Sequence, residues 1–541
     1  FPMKTDLPLM EGKTLDFWEK EQIYKKVRNA CKGKPKFILL DGPPYTNGPV
    51  HMGQAFNKIL KDAIIRYKTL RGFSAPFIPG WDTHGLPTEI LAIKTHKLDR
   101  KSTTPAQLRK KCEETALRYV EIQKDQFRKL GVFADWENSY LTFDPGYEAE
   151  VIRVFGKLTD ENYIYRGLKP VWWCTDCETA LAEAEIEYKN KKSSFAFVKF
   201  QLKNSLSLVS DFMKPVSILV WTSTPWTLAG NAAIAVHPEE VYCLAEINGE
   251  GLIMADTLLD YVMEQCKVED YNIVASFTGS QLKSYIASHP FLDKDVIVIT
   301  EDYIRMDQGT GCIHIAPGLG REDYESAVKY NLPVRVPVNE YGILTDEAGA
   351  FKGLPYKDAN TEILEYLKQS GRLMDSGEFE NSHPHCWRCR QPIIIRAANQ
   401  WFVAVDVNNL RSQAIDQVEN VKWLPSWGAD RISNMLRERP DWCISRQRVW
   451  GIPIPALKCN GCGKDIADSQ IVQHFRKIVE KEGAGVWFSE EIKRLVPEGF
   501  KCPFCDSADL EKTYEIFDVW FESGLAGEAV AKIRSEVSLP V

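Results

Sequence analysis

The segment from residue 36 to residue 70 constrains the fold of this chain more than any other. Lys36-Phe-Ile-Leu-Leu40 is a short apolar run of the kind that forms a buried strand. Residues 55–70 then carry apolar side chains at helical spacing, with lysines and an aspartate between them. The Gly/Pro-rich residues 41–54 join the two. A strand, a tight turn and a helix N-terminus aim free backbone N–H groups at a phosphate, so this segment predicts a nucleotide-binding α/β unit.

The candidate nucleotide-binding residues lie in that turn, where His51 and Gly53 stand at the predicted start of the helix. An imidazole can donate to phosphate oxygens, and a glycine lets a nucleotide approach the backbone closely. A His-x-Gly pair alone is a weak signal, and a histidine that only caps the helix is the alternative interpretation. Neither the P-loop nor the GxGxxG spacing occurs here, which indicates a different kind of nucleotide site.

Composition is typical of a globular protein of several domains. The chain has 541 residues, of which 44% are hydrophobic and 26% charged. A net charge of −7 argues against a uniformly basic nucleic-acid surface, although local basic patches remain compatible with it. No run of about 18 apolar residues is present, so we expect no membrane contact. The sequence starts at Phe1 without a signal-peptide pattern, which favours a trimmed cytoplasmic protein; we expect a monomer.

Cysteine spacing is the second strong signal. Eight of the 14 cysteines form four C-x-x-C pairs: Cys174/Cys177, Cys386/Cys389, Cys459/Cys462 and Cys502/Cys505. Two such pairs can enclose one tetrahedral Zn²⁺ ion, and the last two pairs predict a zinc ribbon over about residues 456–510. The first two pairs lie about 210 residues apart, so they form a second Cys₄ site only if the ends of the intervening segment meet. Disulfides and a redox pair are the alternatives.

Residues 190–375 are rich in short β-type runs separated by Pro, Gly and Asp. This pattern favours a compact β-barrel inserted between the first two cysteine pairs. Two segments of the insertion carry a candidate site. Thr222-Ser-Thr-Pro-Trp-Thr227, followed by Asn231, offers hydroxyls that can hold a ribose, and Gly309–Asp323 offers His314 and Asp323 across a glycine-rich turn. A hydroxyl-stabilised turn and a core histidine are the structural alternatives.

Taken together, residues 41–54 resemble the HIGH signature of class I aminoacyl-tRNA synthetases. Gly80-Trp-Asp-Thr-His-Gly-Leu-Pro87 resembles the segment that follows that signature in the isoleucyl, valyl and leucyl branch. The last His of HIGH is replaced by Gln54, whose amide can donate a hydrogen bond but cannot carry positive charge. The resemblance implies a Rossmann-like, doubly wound parallel sheet with an inserted β-barrel and zinc ribbons.

The resemblance also implies roles for residues in the synthetic site. Catalysis is assigned to His51, Gly53 and Gln54, and Asp82 would hold the ammonium group of the amino acid. The remaining residues implied to bind ATP or the aminoacyl-adenylate are Gly42, Pro43, Pro44, His84 and Trp520. A plain loop aspartate and a core tryptophan are the alternatives for Asp82 and Trp520. The reaction is attack of the amino-acid carboxylate on the α-phosphate of ATP, with Mg²⁺ accompanying ATP.

Further segments are similar to isoleucyl enzymes, among them Trp442-Cys-Ile-Ser-Arg-Gln-Arg-Val-Trp-Gly451 and Asp518-Val-Trp-Phe-Glu-Ser-Gly524. The insertion resembles the editing domain of that branch, which implies hydrolysis of valine from mischarged tRNA(Ile). Excluding valine turns on one methylene, worth about 1–3 kcal/mol, so a second site is needed; this system is a standard illustration of that principle. The implied editing residues, with Asp323 on the amino group, are Thr222, Ser223, Thr224, Thr227, Asn231, His314 and Asp323.

The predicted organisation follows from these assignments: 1–165, first half of the catalytic domain; 166–189, zinc knuckle and stem; 190–378, editing insertion; 379–395, returning stem; 396–541, second half with the ribbon. No KMSKS match occurs in this sequence, so we expect it to edit better than it activates isoleucine. Two other hypotheses remain: a non-catalytic, nucleic-acid-binding zinc protein, and a small-molecule nucleotidyltransferase of the same superfold. The first leaves residues 41–54 unexplained, and the second has no use for the insertion.

Overall fold

A computed structural model describes residues 6–100, 102–203, 207–209, 211–534, 537 and 539. The chain divides into two compact units. The first, here the terminal unit, comprises Phe1–Arg166 and Trp401–Val541, and the second, here the inserted unit, comprises Gly167–Gln400. Among the described residues, no helix is both long and apolar enough to cross a lipid bilayer.

The elements before residue 164 belong to the terminal unit. They are α1 (Leu7–Lys20), α2 (Ile23–Ala30), β1 (Leu39–Leu40), α3 (Met52–Leu70), β2 (Phe77–Ile78), β3 (Gly80–Trp81), α4 (Leu86–His96), α5 (Pro105–Lys129), β4 (Tyr140–Leu141) and α6 (Pro145–Asp160).

The next elements make up the inserted unit and the strands that enter and leave it. They are β5 (Ile164–Cys174), β6 (Thr179–Leu181), β7 (Ile186–Gln201), β8 (Val216–Thr222), β9 (Ala233–Val236), β10 (Val241–Ile247), β11 (Glu250–Ala255), α7 (Leu259–Gln265), β12 (Asn272–Thr278), α8 (Gly279–Leu282), β13 (Ile286–Ser288), β14 (Asp295–Thr300), β15 (Cys312–Ile315), α9 (Arg321–Tyr330), α10 (Tyr356–Gln369), β16 (Leu373–Cys386) and β17 (Ile394–Val403).

The chain then returns to the terminal unit. The remaining elements are α11 (Leu410–Glu419), α12 (Gly428–Glu438), β18 (Trp442–Cys443), β19 (Ser445–Arg446), β20 (Leu457–Cys459), β21 (Asp465–Ile466), α13 (Ser469–Glu482), α14 (Val486–Ser489), α15 (Ile492–Leu495), β22 (Leu510–Lys512), β23 (Ile516–Phe517), α16 (Val519–Gly524) and α17 (Ala526–Ile533).

The strand–turn–helix unit predicted for residues 36–70 is confirmed. β1 pairs in parallel with β2, and β3 pairs in parallel with β4, each over two residues. An isolated parallel bridge between Tyr45 and Asp82 extends this arrangement. Helix α5 begins with a reciprocal capping box between Thr104 and Gln107.

Helix α3 presents its apolar stripe outward. Met52 is 84% exposed and Leu70 is 87% exposed, and Phe56, Leu60 and Tyr67 between them are exposed as well. The two buried residues of α3 are Lys58 and Ile65. Helical spacing predicted the helix correctly, but spacing alone does not say which face of a helix other parts of the structure cover.

The inserted unit contains two open sheets. One has six strands in the order β12-β10-β11-β8-β7-β16, and the other has four in the order β13-β14-β9-β15. The individual strands predicted within residues 190–375 are confirmed. The closed barrel is not found among the described residues, because β12 and β16 each occupy an outer edge of the larger sheet and do not pair with one another. Local strand patterns do not encode whether edge strands meet.

Candidate functional site

In the terminal unit, backbone hydrogen bonds fix the loop that follows β1. The N–H of Asp82 donates to the carbonyl of Pro44 at 2.9 Å, and the N–H of Thr46 donates to the carbonyl of Asp82 at 3.3 Å. From α5, the buried amide of Gln123 donates to the carbonyls of Tyr45 and Gly48, at 2.9 and 2.7 Å. Residues 42–50 therefore have one conformation set from two sides.

A buried ion cluster underlies the start of this loop. The carboxylate of Asp41 pairs with Lys58 and, at 2.7 Å, with Lys61, and both Asp41 and Lys58 are 2% exposed. The ammonium of Lys58 also lies 4.9 Å from the ring centroid of Phe127. Burial, reinforced by Lys61, holds the pKa of Lys58 well below its usual value, and burial lowers the pKa of Lys61 to about 8. Sequence reasoning missed this cluster, because lysines inside a helix are ordinarily solvated.

His51 acts as the N-cap of α3. Its Nδ1 accepts from the N–H of Gly53 at 3.1 Å and from the N–H of Gln54 at 3.4 Å, while the Gln54 side chain accepts from the N–H of His51 at 3.1 Å. The alternative of a helix-capping histidine is thus realised. Capping also has a chemical consequence: with Nδ1 occupied as an acceptor, a neutral ring carries its proton on Nε2, at the exposed end of the helix.

The side chain of Gln54 is engaged in the capping box. A histidine at this position, as in the HIGH pattern, would not make the contact that the amide oxygen of Gln54 makes. Gly53 permits the cap, because a Cβ on residue 53 would stand 3.1 Å from Cε1 of His51. The N-terminus of a 19-residue helix, with a ring N–H beside it, is suited to an anion such as a phosphate.

Asp82 and Trp520 both lie near the loop after β1. The side chain of Asp82 is 2% exposed, and the ring of Tyr45, its bridge partner, stands 6.3 Å from the ring of Trp520 in an edge-on arrangement. Trp520 lies in helix α16 and is 42% exposed, which argues against the alternative of a core tryptophan. Trp520 also lines an apolar cavity of about 430 Å³ together with Trp442 and Phe521.

Asp518 holds the helix that carries Trp520. Its carboxylate accepts from the N–H of Trp520 at 3.2 Å and from the indole of Trp442 at 3.0 Å, and it pairs with Arg446 at 2.9 Å. All of these partners come from the two segments whose wording is similar to isoleucyl enzymes. The contact between Asp518 and Arg446 was not predicted from the sequence.

His84 does not face a ligand-accessible surface. It is fully buried, and its Nδ1 lies 2.6 Å from Oε2 of Glu522. Burial lowers the pKa of His84 to about 3 and raises the pKa of Glu522 well above its usual value, so burial disfavours the charged form of both groups. The other ring nitrogen, Nε2, stands 3.7 Å from Glu148. The contact with Glu522 ties the segment after Asp82 to α16, and the role of His84 in binding ATP or the aminoacyl-adenylate stays a prediction.

In the inserted unit, hydroxyl groups converge on His314. Nε2 of His314 lies 3.2 Å from Oγ1 of Thr227 and 3.4 Å from Oγ1 of Thr222. The Thr227 hydroxyl donates its hydrogen to the carbonyl of Thr224 at 2.7 Å, so a protonated Nε2 of His314 donates to Thr227. Nδ1 of His314 is buried and has no hydrogen bond among the described residues.

Asp323 is tied by a backbone hydrogen bond to the end of the strand that carries His314. Its Oδ2 accepts from the N–H of Ala316, two residues after His314, at 2.7 Å. Burial raises the pKa of Asp323 from 3.8 to about 6, against the lowering effect of that hydrogen bond. Burial and the nearby ammonium of Lys294 lower the pKa of His314 to about 4. At neutral pH the site therefore presents a carboxylate and an uncharged imidazole.

Two residues within residues 222–231, here the threonine segment, differ in exposure. Asn231 is completely buried, and its amide donates to the carbonyl of Ala233 at 2.8 Å. This hydrogen bond shapes the end of the loop, and the predicted substrate contact of Asn231 stays a prediction. Ser223 is half-buried and follows the end of β8.

The eight paired cysteines gather into two groups. Cys174, Cys177, Cys386 and Cys389 form one in the inserted unit, and Cys459, Cys462, Cys502 and Cys505 form the other in the terminal unit, with the sulfur atoms of each group all within 4.8 Å of one another. All eight are free thiols, so the disulfide alternative is wrong. Each pair is followed by a residue in the left-handed conformation: Glu178, Arg390, Gly463 and Asp506.

The sulfur spacing suits a tetrahedral metal ion. Sulfur–sulfur distances of 3.5 Å between Cys174 and Cys389, and 3.6 Å between Cys459 and Cys505, approach the ~3.8 Å edge of a tetrahedron with Zn–S bonds of about 2.3 Å. The second group lies on the three-stranded sheet β21-β20-β22. Four thiolates from two turns are a donor set typical of structural zinc.

Comparisons with known proteins agree over almost the entire chain. A family model described as tRNA synthetases class I (I, L, M and V) matches residues 13–537. The isoleucine–tRNA ligase of Moorella thermoacetica is 48% identical over 540 residues, which are 100% of this chain and 58% of that protein. That of Kosmotoga olearia is 49% identical over 541 residues, again 100% of this chain and 58% of the relative. That of Caldicellulosiruptor bescii is 47% identical over 543 residues, 100% and 59%. The chain thus spans less than two thirds of the length of these relatives.

Proposed function

Because this chain belongs to the class I tRNA synthetase family of the isoleucine, leucine, methionine and valine enzymes, we propose that it serves the charging of tRNA(Ile) with isoleucine. The observation that carries the choice of isoleucine is identity of 47–49% to isoleucine–tRNA ligases along its whole length. The proposed substrates are ATP, isoleucine and tRNA(Ile), with Mg²⁺ accompanying the ATP phosphates.

In the terminal unit, the proposed reaction is formation of isoleucyl-adenylate. Asp82 binds the ammonium group of isoleucine, and Trp520 forms part of the wall around its side chain. His51 donates from Nε2 to a phosphate oxygen, since its Nδ1 is already engaged in capping α3. Backbone groups of Gly42, Pro43 and Pro44 and the N-terminus of α3 approach the nucleotide.

Isoleucine binding tests this assignment without requiring turnover. Isothermal titration of the protein with isoleucine is expected to give binding that Asp82→Asn weakens by about 10-fold or more, because a hydrogen bond to a charged group is worth about 1.5–3 kcal/mol. Asp16→Asn, on the surface of α1, is the matched control. Equal affinity for isoleucine in the Asp82→Asn variant and the unchanged protein would contradict the role of Asp82.

In the inserted unit, the proposed reaction is hydrolysis of valine from mischarged tRNA(Ile). Asp323 binds the ammonium group of the esterified valine. The hydroxyls of Thr222, Thr224 and Thr227 surround the terminal adenosine, and His314, neutral at physiological pH, orients the attacking water or the ribose hydroxyl. The arrangement that supports this proposal is the contact of Thr222 and Thr227 with one neutral histidine, while Asp323 accepts from the N–H of Ala316, two residues after that histidine.

We also propose that this chain edits better than it activates, since the inserted unit has its own two sheets and core. Deacylation of Val-tRNA(Ile) is expected to be measurable while isoleucine-dependent ATP–pyrophosphate exchange is weak. His314→Ala is expected to reduce deacylation strongly and leave isoleucine binding unchanged. ATP–pyrophosphate exchange that is faster than deacylation would contradict the proposal that this chain edits better than it activates. Binding of tRNA without either reaction would favour the hypothesis of a non-catalytic zinc protein.

Two zinc ions are proposed, one in each cysteine group. When bound, zinc contributes cross-linking of distant chain segments and no chemistry in either reaction. Two ions per chain by elemental analysis supports the proposal, and one ion or none contradicts it.

A further inference from the structure

A turn beside the threonine segment has no role in the proposed chemistry so far. Residues 289–294 connect β13 to β14, and β14 runs parallel to β9, with Ile297 opposite Ala233. The other edge of β9 pairs with β15, which places His314 opposite Ile234. The end of the threonine segment therefore lies between this turn on one side and the strand of His314 on the other.

Two side chains of the turn donate to backbone carbonyls of the threonine segment. Nε2 of His289 lies 2.9 Å from the carbonyl oxygen of Leu228, and Lys294 donates to the carbonyl oxygen of Asn231. Both acceptors stand at the end of the short 3₁₀ helix Pro225–Gly230, where the carbonyl of Leu228 also accepts from the N–H of Asn231 at 3.0 Å. His289 is fixed as a donor at Nε2, because its Nδ1 accepts from the N–H of Leu292 at 2.9 Å.

The turn itself is firmly held. Phe291 packs edge-on against Phe351, with ring centroids 5.1 Å apart, and Phe351 packs against Tyr366 of α10 at 5.7 Å. The same helix holds the threonine segment directly, since Oδ1 of Asn360 accepts from the N–H of Trp226 at 2.9 Å. The threonine segment is thus clamped between elements that do not themselves carry candidate catalytic groups.

Lys294 also affects the charge state of the site. Burial and Arg335 lower the pKa of Lys294 to about 8, and Glu347 opposes this shift, so Lys294 is largely protonated at neutral pH. The groups that face its ammonium electrostatically are Arg335, Glu347, His289 and His314. Its positive charge disfavours protonation of His314, which keeps that imidazole available as a neutral group.

We propose that Lys294 and His289 are positioning residues of the hydrolytic site, which hold the threonine hydroxyls at hydrogen-bonding distance from His314. The inference rests on the proposed editing function, which it deepens. Neither residue touches the substrate. Thr227 lies 3.2 Å from His314, so a displacement of the segment by about 1 Å breaks that contact, and such misplacements cost up to about 100-fold in rate.

The test compares Lys294→Met with Lys294→Arg, which restores a cation, and with Lys203→Met, which removes an exposed lysine paired with Asp295 at the start of β14. Three quantities are measured for each: deacylation of Val-tRNA(Ile), amide hydrogen exchange at Asn231 and Ala232, and the titration of His314 by NMR. Asp323→Ala is measured in parallel as the test of the editing function itself.

We expect Lys294→Met to lower kcat for deacylation by about 10-fold with KM changed less than about 2-fold. It should speed amide exchange at Asn231 by about 10-fold and raise the pKa of His314. Lys294→Arg should restore most of the rate, and Lys203→Met should resemble the unchanged protein. His289→Gln, which retains an N–H donor, should lose less activity than His289→Ala.

The outcomes separate the two proposals. If Asp323→Ala abolishes deacylation but Lys294→Met changes neither the rate nor the exchange, the positioning role is wrong and the editing function stands. If the unchanged protein does not deacylate Val-tRNA(Ile), the editing function is wrong. The positioning role is wrong as well if Lys294→Met then changes neither the amide exchange at Asn231 and Ala232 nor the titration of His314. If Lys294→Met loses deacylation only because it unfolds, amide exchange will rise throughout the inserted unit. In that case Lys294→Arg tests the positioning role: it should restore deacylation, and a failure to do so would contradict the role.

Discussion

The buried cluster of Asp41, Lys58 and Lys61 yields a quantitative prediction. Asp41→Asn leaves two ammonium groups without their carboxylate, one of them on the 2%-exposed Lys58, and breaking a buried pair in this way costs about 3–5 kcal/mol. Lys58→Met has a different outcome. Asp41 keeps Lys61 at 2.7 Å, and the methionine packs against the rings of Phe77 and Phe127 that the lysine now contacts. We expect that substitution to cost no more than about 1 kcal/mol.

Amide hydrogen exchange at the paired strands β1 and β2 is the appropriate assay, because it reports the terminal unit alone. Opening that is easier by 3–5 kcal/mol speeds exchange by about 150- to 5,000-fold. The double variant Asp41→Asn/Lys58→Met should recover part of the loss, since one of the two stranded charges is gone. The reasoning is refuted if Asp41→Asn and Lys58→Met slow or speed exchange equally, or if the aspartate substitution costs less than about 1 kcal/mol.

Three further predictions concern the two candidate sites and the cysteines. The rate of deacylation should rise with pH through about 6, where Asp323 ionises, as a pH–rate profile can check. Because the pKa of Asp323 is raised in the folded protein, the inserted unit should become less stable as the pH rises from about 4 to 6, as urea titrations can check. Gly53→Ala should weaken ATP binding by about 2- to 10-fold by crowding His51, while α3 stays at least as stable by hydrogen exchange. Cys386→Ser should remove one of two zinc ions by elemental analysis, whereas Cys266→Ser, outside both groups, should retain both.

Sequence patterns predicted the elements well because the relevant information is local. Apolar runs located β8, β9, β14 and β15, and helical spacing located α3. The C-x-x-C spacing likewise predicted two groups of four cysteines, one of them joining pairs that lie roughly 210 residues apart, at Cys177 and Cys386. These features need only a few neighbouring residues, or a chemistry with few alternatives.

The features that were not predicted depend on contacts between distant residues. His84 is 438 positions from Glu522, and no local signal says that their side chains meet in the core. Barrel closure likewise depends on whether β12 and β16 pair, which strand propensity does not determine. Lys58 and Lys294 were missed for the same reason: a lysine is read as a surface residue unless its partners, Asp41 and the Asn231 carbonyl, are known.

We propose above all that this chain binds tRNA(Ile) and hydrolyses valine that has been esterified to it. Hydrolysis of valine-charged and isoleucine-charged tRNA(Ile), measured side by side with the unchanged protein and Asp323→Ala, tests it most directly. We predict that valine is released faster than isoleucine and that Asp323→Ala removes the difference. Equal release of both amino acids, or identical rates in the two proteins, would contradict the assignment of the hydrolytic site.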